Sequence, residues 1–104
     1  MPSPAFVDLV NQQIGHEFAA SNQYIAIAIH YDAETLPRLR DFFYSQAVEE
    51  RNHGMMLIQY LLDSGHRPEI PAVPAPRGEF PDIVEPVAIA LAQEQRVTEQ
   101  FNVL

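Results

Sequence analysis

Hydrophobic positions along the chain recur at helical intervals from Phe6 onward. Phe6, Val10, Gln13, Glu17, Ala20, Tyr24, Ile27 and Tyr31 follow one another at spacings of four and three, which puts them on one face of an α-helix. Val7, Ile14, Phe18 and Ile25 widen that stripe. Ser3 suits an N-cap and Pro4 the first helical position, so a first helix is predicted over about residues 4–34. Between Tyr24 and Tyr31 it is apolar nearly all round, the pattern of a helix covered on more than one side, and a neighbouring subunit is expected there. Thr35-Leu36-Pro37 interrupts the pattern, with Thr35 as candidate cap and Pro37 in the first turn of the next helix. That second helix is predicted over about 36–63, with the seam Leu39, Phe43, Gln46, Glu50, His53, Leu57 and Tyr60 and a stop at Gly65. So short a connection predicts an antiparallel pair.

Residues 66–82, HRPEIPAVPAPRGEFPD, carry five prolines and exclude a regular helix. Such a stretch is extended and semi-rigid. It suits a crossover from one end of a bundle to the other, setting the third helix parallel to the second. The competing reading is a disordered linker between separate units. The third helix is predicted over about 83–104, opened by a capping-box pattern from Asp82 to Glu85, with the seam Val87, Ala90, Leu91, Glu94, Val97, Thr98 and Phe101. The whole predicts an all-α fold, one domain over residues 1–104, with three helices of a four-helix bundle and the fourth missing or supplied by another chain.

Net charge is −8 over 104 residues. A basic footprint for nucleic acid is absent from such a composition, whereas a negative field raises the local concentration of cations. The apolar run YIAIAIHY, residues 24–31, is too short to span a bilayer. MPSPAFVDLV lacks the basic and apolar regions of a signal peptide, and the chain has no cysteine for a disulfide or thiolate site. A cytoplasmic location is the resulting expectation.

Each predicted helix carries a glutamate in its apolar seam: Glu17, Glu50 and Glu94. A buried carboxylate has to be protonated, paired or metal-bound. The basic side chains are six arginines, and Arg51 and Arg96 stand one or two residues from a seam glutamate, a separation that does not bring helical side chains together. Metal explains the pattern better. Glu50 and His53 form E-x-x-H, an i, i+3 pair on one face, and carboxylates with an imidazole suit iron, manganese or zinc. Glu49 is either a further carboxylate beside the seam or part of a solvated face. Tyr24, seven residues after Glu17 on the same face, is either a packed core residue or a hydrogen-bond donor and electron source for the site. Gln46 stands one turn before Glu50, within reach of a ligand. His16, His30 and His66 have no carboxylate in phase and read as surface or interface residues. Met55 and Met56 read as packing residues, and Gly15 and Gly54, inside helices, as points of close approach.

The stretches HEFAASNQYIAIAIHYDAETLPRL, FYSQAVEERNHGMMLIQYLLDSG and AIALAQEQRVTEQ resemble the N-terminal part of bacterial non-haem ferritins of the mycobacterial and actinobacterial type. The resemblance implies iron storage and detoxification by a ferroxidase that oxidises Fe(II) to Fe(III) at a two-iron, carboxylate-bridged centre, with O2 or H2O2 as oxidant. Glu17 and His53 would then hold one iron, Glu50 would bridge, Glu94 would hold the second and Glu49 would match a third, transit site. Tyr24 would match the family's tyrosine beside the centre. Arg51 follows the bridging glutamate where the haem-containing relatives have methionine, so no haem is implied. The family assembles into homo-oligomeric cages of about 24 subunits, and its further ligands lie on a fourth helix. The alternatives that stay open are a non-catalytic helical assembly module with an incomplete metal site, and a carboxylate-bridged enzyme acting on an organic substrate.

Overall fold

A computed structural model describes residues 3–103, without the side chains of Phe101 and Val103. Three helices account for most of it: α1 Pro4–Ala33, α2 Pro37–Asp63 and α3 Glu85–Val103. The predicted seam position Phe101 and the expected helix end at Leu104 lie outside the described side chains and residues.

The first helix starts as its sequence predicts. Ser3 is the N-cap, its hydroxyl oxygen accepting from the Phe6 amide at 3.2 Å, and Pro4 follows in the first turn. Its end corrects an expectation. Thr35 does not cap α2; it closes α1 instead, in the left-handed region at φ 60°. The Thr35 amide donates to the Asp32 carbonyl at 3.0 Å and the Leu36 amide to the Tyr31 carbonyl at 2.9 Å, the paired bonds of a Schellman motif. α2 therefore begins at Pro37 after Leu36, which offers no capping side chain. The same motif ends α2. Gly65 takes φ 81°, its amide donating to Leu62 at 3.1 Å, and His66 donates to Leu61 at 2.9 Å.

Residues after Gly65 run back along α1 rather than away from it. The Asn11 side chain accepts from the Glu69 amide at 2.9 Å. Gln23 grips Arg77 twice, accepting from its amide at 3.0 Å and donating to its carbonyl at 2.9 Å. The Tyr31 hydroxyl donates to the Ile83 carbonyl at 2.7 Å, and the His30 ring meets the Asp82 carbonyl at 3.1 Å and the Phe80 ring edge-on. The anchors thus climb α1 from residue 11 to residue 31, roughly 30 Å at 1.5 Å per residue. The extended stretch is the crossover, not a loose linker. His30, expected as a surface or interface residue, is half-buried against this crossover. Asp82 then caps α3, its carboxylate accepting from Val84 and Glu85 amides at 3.0 and 2.7 Å. The reciprocal half of the capping box is not made, because Glu85 pairs with Arg77 at 2.9 Å.

Apolar packing falls into two clusters along α1. Val10, Ile14 and Leu61 form one, with Phe6, Val7, Phe18, Leu57 and Ile58 against it. Tyr24, Ile27, Ala28, Tyr31, Phe43, Ala47 and Ala90 form the other. The predicted seam of α1 is the buried face from Val10 to Tyr31. The seams of α2 and α3 are only partly so. Leu39, Tyr60, Val87 and Leu91 are exposed, since α2 packs on α1 through Phe43, Ala47, Gly54 and Leu61, and α3 through Pro86, Ala90 and Gln93. Among the described residues the backbones of α2 and α3 do not approach each other closely. Met55 and Met56, read as packing residues, are 43% and 68% exposed. Gly15 and Gly54 do mark close approaches: a Cβ on Gly15 would sit 2.5 Å from Pro71 Cγ, and one on Gly54 2.7 Å from the Phe18 ring.

Candidate metal centre

Between the two apolar clusters lies one polar layer. Glu17 enters it from the middle of α1 with no exposed surface, and Glu50 enters from the middle of α2 with 3% exposed. Antiparallel packing of two helices whose seam glutamates sit mid-length places these carboxylates opposite each other. His53, one turn after Glu50, is half-exposed at the mouth; its Nδ1 is 3.5 Å from Glu50 Oε2 and 3.7 Å from Glu17 Oε2. One donor atom from each of Glu17, Glu50 and His53 lies within 4.8 Å of the others. Donors around a single ion at bond lengths of about 2.1 Å stand roughly 3–3.5 Å apart, so the three need little movement to share one.

Polar satisfaction points the same way. Gln13, one turn before Glu17, donates to Glu17 Oε1 at 3.2 Å. Glu17 Oε2 and Glu50 Oε2, the two oxygens nearest His53, are buried without any hydrogen-bond partner. Two orphaned carboxylate oxygens in an apolar surround are costly, and a cation would satisfy both. Burial pushes the Glu50 carboxyl up to about 8, aided by the adjoining Glu17 carboxyl and the charge of Glu94, while His53 pulls the other way. Without a cation the layer lowers its cost by holding a proton on Glu50.

Glu94 stands apart from this group. It is exposed on α3 and accepts a hydrogen bond from the Tyr24 hydroxyl. Tyr24 itself is 2% exposed and stacks on Phe43 at 5.8 Å. Its phenol is raised above the usual tyrosine range, first by burial and then by the bond to Glu94. The Tyr24 ring is thus core, and its hydroxyl reaches a candidate ligand. Glu50, His53 and Glu94 line a common groove of about 480 Å³ between α2 and α3, with Met56, Leu57 and Val97 as its apolar part. Glu49 is exposed and is not among the three gathered donors. Gln46 is half-buried and makes no side-chain hydrogen bond to Glu50.

Gln13 is the residue that sequence reading passed over. It was visible as a polar side chain in the seam, four residues before Glu17 and so on the same face. Its bond fixes which Glu17 oxygen turns to the site. Ser21, also buried, donates to the Ala47 carbonyl at 2.7 Å and ties α1 to α2 beside the layer.

Comparison with known proteins places these features in a family context. The ferritin-like domain family model matches residues 7–104. Ferritin BfrB of Mycobacterium tuberculosis is 52% identical over 101 residues, which is 97% of this chain and 56% of that protein. Ferritin BfrB of Mycolicibacterium smegmatis is 50% identical over 97 residues, 93% of this chain and 54% of that protein. Among solved structures, apo-ferritin from Pseudo-nitzschia multiseries superimposes with a TM-score of 0.89 at 28% identity, covering 94% of this chain and 63% of the other. The chain thus spans little more than half the length of the curated relatives it matches.

Proposed function

The chain belongs to the ferritin-like domain family, and from that membership we propose that it takes part in iron storage and detoxification, binding Fe(II) as substrate at Glu17, Glu50 and His53 and passing it on as Fe(III). One observation carries the reading: the buried Glu17 and Glu50 oxygens that face His53 have no partner. Fe(II) is a cation that carboxylate and imidazole donors suit together.

In the arrangement that the family resemblance implies, Glu17 and His53 would hold one Fe(II), Glu94 would hold a second across the groove between α2 and α3, and Glu50 would serve both. Below about pH 8 the Glu50 proton leaves as metal enters. Each Fe(II) then gives up one electron. The pair of electrons, with two protons, reduces O2 to H2O2 or H2O2 to two waters. Gln13 keeps Glu17 oriented during the exchange. Tyr24 holds Glu94 by its hydroxyl, and Glu49, outside the layer, is a carboxylate along the path by which iron leaves. The homo-oligomeric cage, the cytoplasmic setting and the absence of haem belong to the same proposal.

A second reading has its own observation. Glu94 is exposed and engaged by Tyr24 rather than gathered with the three other donors, as an assembly module with an incomplete site would have it. Mixing Fe(II) with the chain in air and following Fe(III) absorbance separates the two, alongside anaerobic Fe(II) titration. The ferroxidase reading expects two irons per chain and oxidation faster than in buffer, lost in Glu50→Ala. Oxidation at the buffer rate with one iron or none would leave the assembly module standing.

A further inference from the structure

On the side of α3 away from the carboxylate layer, a cavity of about 210 Å³ opens between α1, α3 and the crossover. His16 comes to it from α1, Gln93, Arg96 and Gln100 from α3, and Pro74 and Pro76 wall it from the crossover. Arg96 and His16 make no salt bridge or side-chain hydrogen bond among the described residues. Gln100 Oε1 is buried with no hydrogen-bond partner, while Gln93, 5% exposed, is anchored by its bond to the Ala20 carbonyl at 3.2 Å. The cavity therefore offers a guanidinium without a counter-ion, an imidazole ring with no side-chain partner and one acceptor that needs a donor. Its volume is below the roughly 300–1,000 Å³ of cofactor-sized pockets, and its proline wall is stiff.

We propose that this cavity binds a small oxyanion that also carries a hydrogen-bond donor, its charged oxygens on Arg96 and His16 and its O–H on Gln100 Oε1. A guanidinium presents a planar fork matched to carboxylate or phosphate oxygens. A hydroxycarboxylate and a hydrogen phosphate both satisfy the site. General attraction is not the cause, since a chain of net charge −8 repels anions overall. Binding here has to come from these side chains, and it is independent of the iron reading.

Isothermal titration of the metal-free full chain at fixed ionic strength tests this, with citrate, inorganic phosphate and tricarballylate, which is citrate without its hydroxyl. One saturable site per chain is expected for citrate or for phosphate, and whichever saturates identifies the source. Arg96→Gln, a change at an exposed position, should weaken it by roughly tenfold or more while leaving the melting temperature unchanged. If citrate is the ligand, tricarballylate should bind more weakly, and Gln100→Leu should remove that difference. No saturation by either citrate or phosphate would overturn the proposal, and so would an affinity that Arg96→Gln leaves intact.

Discussion

Replacing Glu50 by Gln should make the metal-free chain more stable. The Glu50 carboxyl is held up to about 8 against an ordinary 4.5, so the folded state prefers it protonated. Below pH 4.5 both folded and unfolded chains carry the proton and there is no cost. As pH rises the unfolded chain ionises first, and stability falls until the folded group ionises near 8. The full difference corresponds to roughly 5 kcal/mol at 1.36 per pH unit. Half-exposed His53 admits solvent to the layer, which brings the expected cost to on the order of 2–4 kcal/mol. Gln keeps the shape, carries no charge at any pH, and its amide can donate to the orphaned Glu17 Oε2. Urea denaturation of both proteins, stripped of metal, at about pH 5, 7 and 9 reads the effect. The two should differ least at the acid end, with the variant ahead by that margin at the alkaline end. With Fe(II) under anaerobic conditions the order should reverse, because metal stabilises only the chain that can ligate it. Parallel pH profiles for the two metal-free proteins, or a variant that is weaker at pH 9, would refute the reasoning.

Two further substitutions test the packing. Thr35→Gly removes a β-branched side chain from φ 60°; relief of about 1–2 kcal/mol is offset in part by the greater freedom of glycine when unfolded, so a net gain of roughly 0.5–1 kcal/mol in denaturant titration is expected. Gly54→Ala sets a methyl 2.7 Å from the Phe18 ring and should cost about 1–3 kcal/mol; in the Phe18→Leu background that cost should shrink, which a double-mutant cycle by thermal melting would show.

What could be read in advance depended on how local the signal was. The α1 seam was legible because its positions from Val10 to Tyr31 recur at spacings of four and three and are all buried, and Glu17 stands out in it as a charged residue, as Glu50 does on α2. His53 was legible from its distance to Glu50 alone. Thr35 was not, because threonine seldom takes the left-handed conformation, and a Ser/Thr before a proline reads more naturally as the start of a helix. The crossover's prolines announced an extended chain, but its course along α1 rests on Asn11, Gln23 and His30, whose partners are more than fifty residues away. Glu85 was assigned to a capping box that Arg77 intercepts. Val87 and Leu91 were placed in the α3 seam from spacing, which shows that a stripe is apolar without showing which neighbour covers it. For the site, the sequence marked the donors but not their grouping: Glu94 shares the seam pattern yet hangs from Tyr24, and that separation comes from how α3 sits on α1.

Because α2 and α3 each lean on α1 and not on one another, the molecule is a spine with two ribs. Loosening one rib removes no close backbone approach from the other among the described residues. α3 meets α1 over a much smaller face than α2 does, so its amides should exchange with deuterium through an opening that leaves α1 and α2 protected. An ion held jointly by Glu50 and Glu94 would tie the ribs together, turning two tiers of protection into one.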